Sequence, residues 1–163
     1  MPAIKLEISI NAPIDRVFDL SRSIDLHMES MNSSRERAVG GVTSGLIEAG
    51  QIVTWEAVHF GIRQRLTSEI TVCDRPRHLQ DVMIRGAFAR FVHDHYFEER
   101  EGATTMRDIF DYTSPCGFLG RLADILFLER YMTRLLADRN RRIKKAAEGE
   151  EWRRFLNDPP ASE

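Results

Sequence analysis

His93 and His95 are separated by one residue, a spacing that puts two imidazoles on one face of a strand. Imidazole is a common metal ligand, and a third ligand could come from Asp108, His59 or Asp81. This spacing is common in proteins, and the sequence offers no obvious fourth ligand. We therefore predict no metal and no cofactor, and we interpret the two histidines as hydrogen-bonded polar groups of a pocket.

The pair His95 and Asp108 could perform a second kind of chemistry, general acid–base catalysis. A hairpin that turns at Glu101-Gly102 places the two residues opposite each other. A carboxylate that orients an imidazole makes a general base, which the removal of a proton from a bound substrate requires. His95 and Asp108 are thus the candidate catalytic residues. The alternative, which we favour, is a buried hydrogen-bonded pair that fixes the pocket or orients a ligand.

Two-residue hairpin turns fix which side chains face inward. With a turn at Phe60-Gly61, Trp55 and His59 share one face, while Glu56 pairs with Arg65 on the other. The charge-matched face is the outer one, so Trp55 and His59 point inward. The turn at Glu101-Gly102 gives an inner face composed of Phe91, His93, His95, Phe97, Met106, Asp108, Phe110 and Tyr112.

The strand Leu79–Arg85 allows two facings. Its inner set is either Asp81, Met83 and Arg85 or Val82 and Ile84. We favour the first set because Gln80 is a poor core residue and the neighbouring polar row would accommodate Asp81.

The elements that position these residues follow from periodicity. Ile4 to Ile10 alternates as a half-buried strand, Pro13 suits the first turn of a helix, and Ser23 can cap a second short helix. Six further strands end at Ser114–Gly117. From Phe118 to about Ala147, apolar residues recur at three- and four-residue spacing, which predicts one long amphipathic helix. We interpret its basic end, Arg139–Lys145, as a solvated face.

One helix cannot cover a flat sheet of seven strands. The antiparallel sheet must therefore curl around the C-terminal helix, and a gap between the two is geometrically natural. We predict an α+β helix-grip fold, with two short helices after the first strand. Residues 1–149 form the ligand-binding domain, and residues 150–163 form a polar C-terminal tail.

Composition limits the possible partners and compartments. The chain has 163 residues and a formal net charge of -2, which argues against nucleic acid as a partner. Cys73 and Cys116 form no CxxC motif and are interpreted as free thiols, with Cys73 on the outer face of its strand. No signal peptide and no apolar run of about 20 residues is evident, so we expect a cytoplasmic protein without stable membrane insertion.

Four segments carry a resemblance to a known family: INAPIDRVFDL, TWEAVHFGIRQRLTSEITVCDRP, RGAFARFVHDHYFEE and TTMRDIFDYTSPCGFLGRLADILFLERYM. Together they resemble the START-domain superfamily, also called SRPBCC, in its polyketide cyclase/dehydrase and lipid-transport branch. The resemblance covers roughly Ile4 to Ala147, and some relatives are labelled cell division inhibitors. It implies a hydrophobic cavity between the sheet and the C-terminal helix. Some members bind lipids, quinones or hormones, and a minority catalyse cyclisation.

Three functions remain open. The favoured one is binding or carrying a small, largely apolar ligand that is lipid-, polyketide- or quinone-like. The second is a cyclase or dehydratase that uses His95 and Asp108. The third is a lipid or quinone chaperone that docks on a membrane through Phe118, Leu119 and the basic helix end. The candidate ligand-binding residues are Trp55, His59, Asp81, Met83, Arg85, Phe91, His93, Phe110, Tyr112 and Met132.

Overall fold

A computed structural model describes residues 3–114 and 127–156. The first half of the chain contains strand β1 (Ala3–Ile10), helices α1 (Ile14–Ser21) and α2 (Ile24–Ser30), a 3-10 turn (Asn32–Ser34) and strand β2 (Arg37–Gly41). Strands β3 (Ile52–His59), β4 (Ile62–Asp74), β5 (His78–Arg85), β6 (Arg90–Arg100) and β7 (Ala103–Thr113) follow. Helices α3 (Glu129–Glu148) and α4 (Trp152–Leu156) complete the described chain.

The seven strands form one antiparallel sheet in the order β1-β7-β6-β5-β4-β3-β2. Together with the two short helices and the long C-terminal helix, this confirms the predicted fold. Both hairpin registers are also confirmed, because Trp55 lies opposite Leu66 and His95 lies opposite Asp108. Each turn has two consecutive residues with positive φ, as a two-residue hairpin of the right twist requires.

Helix α3 lies against the sheet through a face made of the buried residues Leu135, Leu136, Arg139, Asn140, Ile143, Ala146 and Ala147. The predicted start of this helix at Phe118 lies outside the described residues. The interpretation of Arg139 as solvated is wrong, since its side chain is only 5 % exposed. Arg139 falls four residues after Leu135 and four before Ile143, so helical geometry places it on the buried face.

Helices α1 and α2 close one end of the curved sheet. Ser23 accepts a hydrogen bond from the backbone N–H of Leu26 at 3.2 Å, which confirms the predicted N-cap. Val17 and Phe18 are fully buried in a core cluster that also contains Ile143 of α3. In the tail, Phe155 of α4 is buried against the same cluster. No described helix is long and apolar enough to cross a membrane.

Two bulges in the β4–β5 pair overturn two predicted facings. The register shifts so that Thr67 pairs with Arg85 while Ser68 pairs with Met83. Ile84 is the extra residue, and Arg85 therefore turns to the outer face and is exposed instead of lining the interior. A second shift lets Cys73 pair with Leu79, which brings Cys73 to the inner face, where it packs against the core.

Candidate functional site

A cavity of about 500 Å³ lies between the concave face of the sheet and helix α3. Seven predicted ligand-binding residues line it: Trp55, His59, Asp81, Phe91, His93, Phe110 and Met132. Met83 and Tyr112 belong instead to the apolar cluster that backs this wall, and Arg85 lies on the outer face. Leu66 of β4 also lines the cavity, so five strands and helix α3 contribute to one space.

Aromatic rings build the wall at the β6–β7 side of the cavity. Phe91 of β6 and Phe110 of β7 have ring centroids 5.2 Å apart. Phe88 packs edge-on against Phe110 at 5.9 Å and against Tyr112 at 5.4 Å. Such edge-to-face and offset contacts add stability beyond area burial and hold the wall rigid. Phe88 lies between β5 and β6, where strand periodicity gives no facing, so the sequence did not predict its role.

Asp81, His93 and His95 meet in the polar part of the wall. Asp81 pairs with His93 across β5 and β6, and His95 lies on the same face two residues further along the strand. Asp81 Oδ1 is 3.7 Å from His93 Nδ1 and 3.5 Å from His95 Nε2. The two imidazole rings have centroids 4.0 Å apart. His93 Nε2 is buried and has no hydrogen-bond partner among the residues described.

His95 forms the predicted hydrogen bond with Asp108. The distance from Nδ1 to Oδ1 is 2.7 Å, and both side chains are almost fully buried. Asn140 of α3 donates to the other carboxylate oxygen, Oδ2, at 2.7 Å. Arg139 donates to the backbone carbonyl of Ser21 at 3.1 Å and keeps its Nη1 3.9 Å from Asp108 Oδ2. Helix α3 thus fixes the orientation of the His95–Asp108 pair through contacts with the Asp108 carboxylate.

The protonation states of this cluster follow from burial and from its neighbours. Burial, assisted by the nearby His95, lowers the pKa of His93 to about 3, so His93 is neutral. Burial also acts to lower the pKa of His95, but the charge of Asp108 outweighs it and the net shift is upward. For Asp108, burial acts to raise the pKa, but His95 outweighs it and the net shift is downward. When His95 is protonated, His95 and Arg139 balance the charges of Asp81 and Asp108.

The opening of the cavity is lined by exposed rings. Phe60 and Phe127 are 58 % and 48 % exposed, and their centroids lie 5.4 Å apart. Tyr131 packs on Phe60 at 4.6 Å, and its hydroxyl is 2.8 Å from His59 Nδ1. Burial lowers the pKa of His59 and therefore favours its neutral form. These contacts bring the β3–β4 turn and the start of α3 together around the opening.

A second polar group lies on the α2 side of the cavity. His27 stacks on the indole of Trp55 at 4.3 Å and places its Nε2 2.7 Å from Glu36 Oε1. His27, Glu36 and Tyr131 all line the cavity and were not predicted as site residues. Tyr131 is next to Met132 on the helix, so a wider helical stripe could have included it. His27 lies on α2 and Glu36 lies just before β2, and the sequence pattern gives no reason to expect either polar side chain in the cavity.

Comparisons with known proteins agree with this architecture. The sequence matches the model of a family described as polyketide cyclase/dehydrase and lipid transport over residues 1–148. The protein TTHA0849 of Thermus thermophilus is 18% identical, with a TM-score of 0.74 over 90% of this chain and 97% of its own. No curated protein sequence matches significantly.

Plant and mycobacterial structures are similar as well. Major latex-like protein 151 of Panax ginseng is 13% identical, with a TM-score of 0.66 over 91% of this chain and 98% of its own. Protein Ms6760 of Mycobacterium smegmatis is 15% identical, with a TM-score of 0.63 over 88% of each chain. At these identities the likeness shows a shared fold.

Proposed function

Because the chain belongs to the polyketide cyclase/dehydrase and lipid transport family, we propose that it binds and carries a small, largely apolar ligand with one polar end. The observation that carries this proposal is an apolar cavity with a compact polar cluster in one wall. Lipid-, polyketide- and quinone-like molecules share that division between an apolar body and an oxygen-bearing end.

The size and walls of the cavity suit the apolar body. A volume of about 500 Å³ lies within the range of about 300–1,000 Å³ that is usual for small-molecule sites. Phe88, Phe91 and Phe110 offer one rigid wall, and Met132 and Leu135 of α3 offer an adaptable one opposite. Transfer of the ligand from water to these walls would supply most of the affinity, at about 25 cal/mol per Å² of apolar surface.

The polar end would be received by Asp81 and His93. Both line the cavity, whereas the other groups of the cluster lie deeper. Neutral His93 can accept or donate one hydrogen bond, and Asp81 accepts. A ligand hydroxyl or carbonyl placed there would compensate polar groups that the protein itself leaves incompletely paired.

The cyclase/dehydratase alternative draws support from the short His95–Asp108 hydrogen bond. A general base must come within hydrogen-bond reach of the proton that it removes. His95 is 2 % exposed and lines a recess of about 90 Å³ instead of the large cavity, so a bound molecule would meet His93 and Asp81 first. We therefore assign His95 and Asp108 to holding the pocket. The membrane-docking alternative rests on Phe118 and Leu119, which lie outside the described residues, and on the basic helix end, where Arg139 is buried.

Binding of anilinonaphthalene sulfonate, whose aromatic rings suit the apolar walls, tests whether the cavity takes an apolar body. Ala57 lines the cavity and Ala89 is exposed away from it. The substitution Ala57→Leu fills part of the cavity and should weaken probe binding by about tenfold or more. The matched control Ala89→Leu should leave binding unchanged. Titration followed by probe fluorescence measures both, and native mass spectrometry with ligand extraction identifies the natural occupant.

Two results would contradict the proposal. One is probe binding that Ala57→Leu does not weaken while circular dichroism shows a native fold. The other is turnover of polyketide-like substrates that His95→Gln abolishes without loss of binding, which would establish the enzyme instead.

A further inference from the structure

Three side chains of metal-binding type converge at the wall of the cavity. One ligand atom from each of Asp81, His93 and His95 lies within 4.8 Å of the others, a cluster found among the described residues. We propose that these residues form a binding site for a divalent transition-metal cation with one coordination position open toward the cavity. The sequence alone favoured no metal, because the spacing of His93 and His95 is common in proteins and no fourth ligand is obvious.

The distances within the cluster suit a shared cation better than direct hydrogen bonds. Asp81 Oδ1 lies 3.5 Å from His95 Nε2 and 3.7 Å from His93 Nδ1. Strong N–H···O hydrogen bonds have donor–acceptor distances of about 2.7–3.2 Å, so both distances are too long for such a bond. Ligand atoms around an ion with bonds of about 2.1 Å stand about 3.4 Å apart in a tetrahedron. Small side-chain adjustments would therefore complete the coordination.

The groups behind the cluster match the outer partners of a metal site. A metal-binding histidine commonly donates its second ring N–H to a carboxylate, which fixes its tautomer. His95 has this arrangement, with Nδ1 committed to Asp108 and Nε2 facing Asp81. Asn140 in turn holds Asp108 through a 2.7 Å hydrogen bond. The orientation of His95 is thus set in advance, as a binding site requires.

The local charge also permits a cation. Asp81 and Asp108 contribute two negative charges, and Arg139 contributes one positive charge. Arg139 is tied to the carbonyl of Ser21 and approaches Asp108 instead of the three candidate ligands. Ligation of the cation through His95 Nε2 would release any proton held on that nitrogen to solvent, and the two carboxylates and Arg139 would then leave one net negative charge to offset the ion.

The donor set indicates the class of metal and of ligand. Two imidazoles and one carboxylate suit Zn²⁺, Fe²⁺, Co²⁺ or Ni²⁺, whereas Mg²⁺ and Ca²⁺ prefer oxygen ligands alone. Asp81 and His93 both line the cavity, so the open position faces its contents. This last step rests on the proposed function: a carbonyl, carboxylate or phenolate oxygen of the bound molecule would complete the coordination.

Titration of untagged, chelator-treated protein with Co²⁺ tests the site, with calorimetry and visible absorption as readouts. We expect one Co²⁺ per chain, with absorption bands of nitrogen and oxygen ligation, displaced by Zn²⁺ and not by Mg²⁺. Asp81→Asn and His93→Gln should each weaken binding by at least about tenfold, because loss of even an outer partner costs about 10–100-fold. His78→Gln is the matched control, since His78 pairs with Asp94 at 2.7 Å outside the cavity, and it should bind Co²⁺ like the wild type.

Circular dichroism and thermal unfolding first establish whether each variant folds. If one of the two variants does not fold, the test uses the other variant. Absence of stoichiometric binding by the wild type would overturn the site, as would equal binding by wild type and a folded variant. Binding of anilinonaphthalene sulfonate by metal-free protein is measured in parallel. If the wild type binds the probe but not Co²⁺, this inference alone is refuted. If the metal-free wild type does not bind the probe, the carrier function is refuted.

Discussion

Asn140 connects the long helix to the buried polar cluster. Its amide donates to Asp108 Oδ2, while His95 occupies the other oxygen of the same carboxylate. The Asn140 side chain is 3 % exposed and does not line the large cavity. It therefore contributes to stability and to the orientation of His95 without touching a ligand directly.

The substitution Asn140→Ala should lower the free energy of unfolding by about 1.5–3 kcal/mol, because it removes a buried hydrogen bond to a charged group. Probe affinity should change by no more than a few-fold. Urea denaturation measures the first effect. Arg141→Ala on the exposed face of the same helix is the control and should stay within about 0.5 kcal/mol. A loss equal to that of the control would mean that Asp108 is satisfied without Asn140.

For individual residues, the sequence predicted the cross-strand pairs whose register is fixed by a two-residue hairpin turn. The pairing of His95 with Asp108 follows from counting residues back from Glu101-Gly102, and the structure has that register. Arg85 was misplaced because a bulge at Ile84 breaks the alternation on which the count depends. Arg139 was misplaced because a charged residue on a helix is usually exposed, and its buried partners come from distant parts of the chain.

The turn of the β3–β4 hairpin holds Phe60 in a backbone conformation that is unusual for phenylalanine. Phe60 has φ of 52°, in the left-handed region that bulky side chains rarely adopt. Its ring compensates by packing on Phe127 and Tyr131 at the opening of the cavity. The hairpin and the helix therefore hold each other in place through a residue that the turn alone would disfavour.

Phe60→Asn should separate turn stability from control of the opening. Asparagine before glycine suits this turn, and the relief of about 1 kcal/mol should roughly offset the lost ring contacts. The melting temperature should therefore change little, while dissociation of anilinonaphthalene sulfonate becomes several-fold faster in stopped-flow measurements. Glu101→Asn is the matched control, because Glu101 has φ of 53° in the other hairpin turn and does not line the cavity. It should raise stability and leave dissociation unchanged, and faster release in this control would refute the role of Phe60.

Across the whole molecule, a salt-bridge group joins helix α1 to the turn after β4. Asp19 of α1 accepts from Arg75 Nη2 at 2.8 Å and contacts Arg22 at 2.9 Å. Burial raises the pKa of Asp19, but the two arginines outweigh it, and the net shift is downward. A lowered folded-state pKa contributes stability that is complete above the unfolded value, near 3.9, and is lost as pH falls through the folded value.

The difference in unfolding free energy between the wild type and Asp19→Asn should therefore be largest near neutral pH and shrink in acid. Urea unfolding measured from pH 7 to about pH 2 tests this. Glu98→Gln, in an exposed pair with Arg100, serves as the control and should show little pH-dependent difference. A constant difference for Asp19→Asn across this range would mean that its carboxylate charge is not what joins helix and turn.

The order of the strands leaves β1 and β2 at the two margins of an open sheet. An unpaired margin can recruit strands from other molecules and so begin aggregation. Here β2 is five residues long and interrupted by a bulge at Val39, and Lys144 of α3 donates to the carbonyl of Ser9 near the end of β1. The proposed function requires a protein that persists without its ligand, when the walls of its cavity are least supported. In that state, the bulge in β2 and the contact of Lys144 with β1 limit the addition of strands from other molecules.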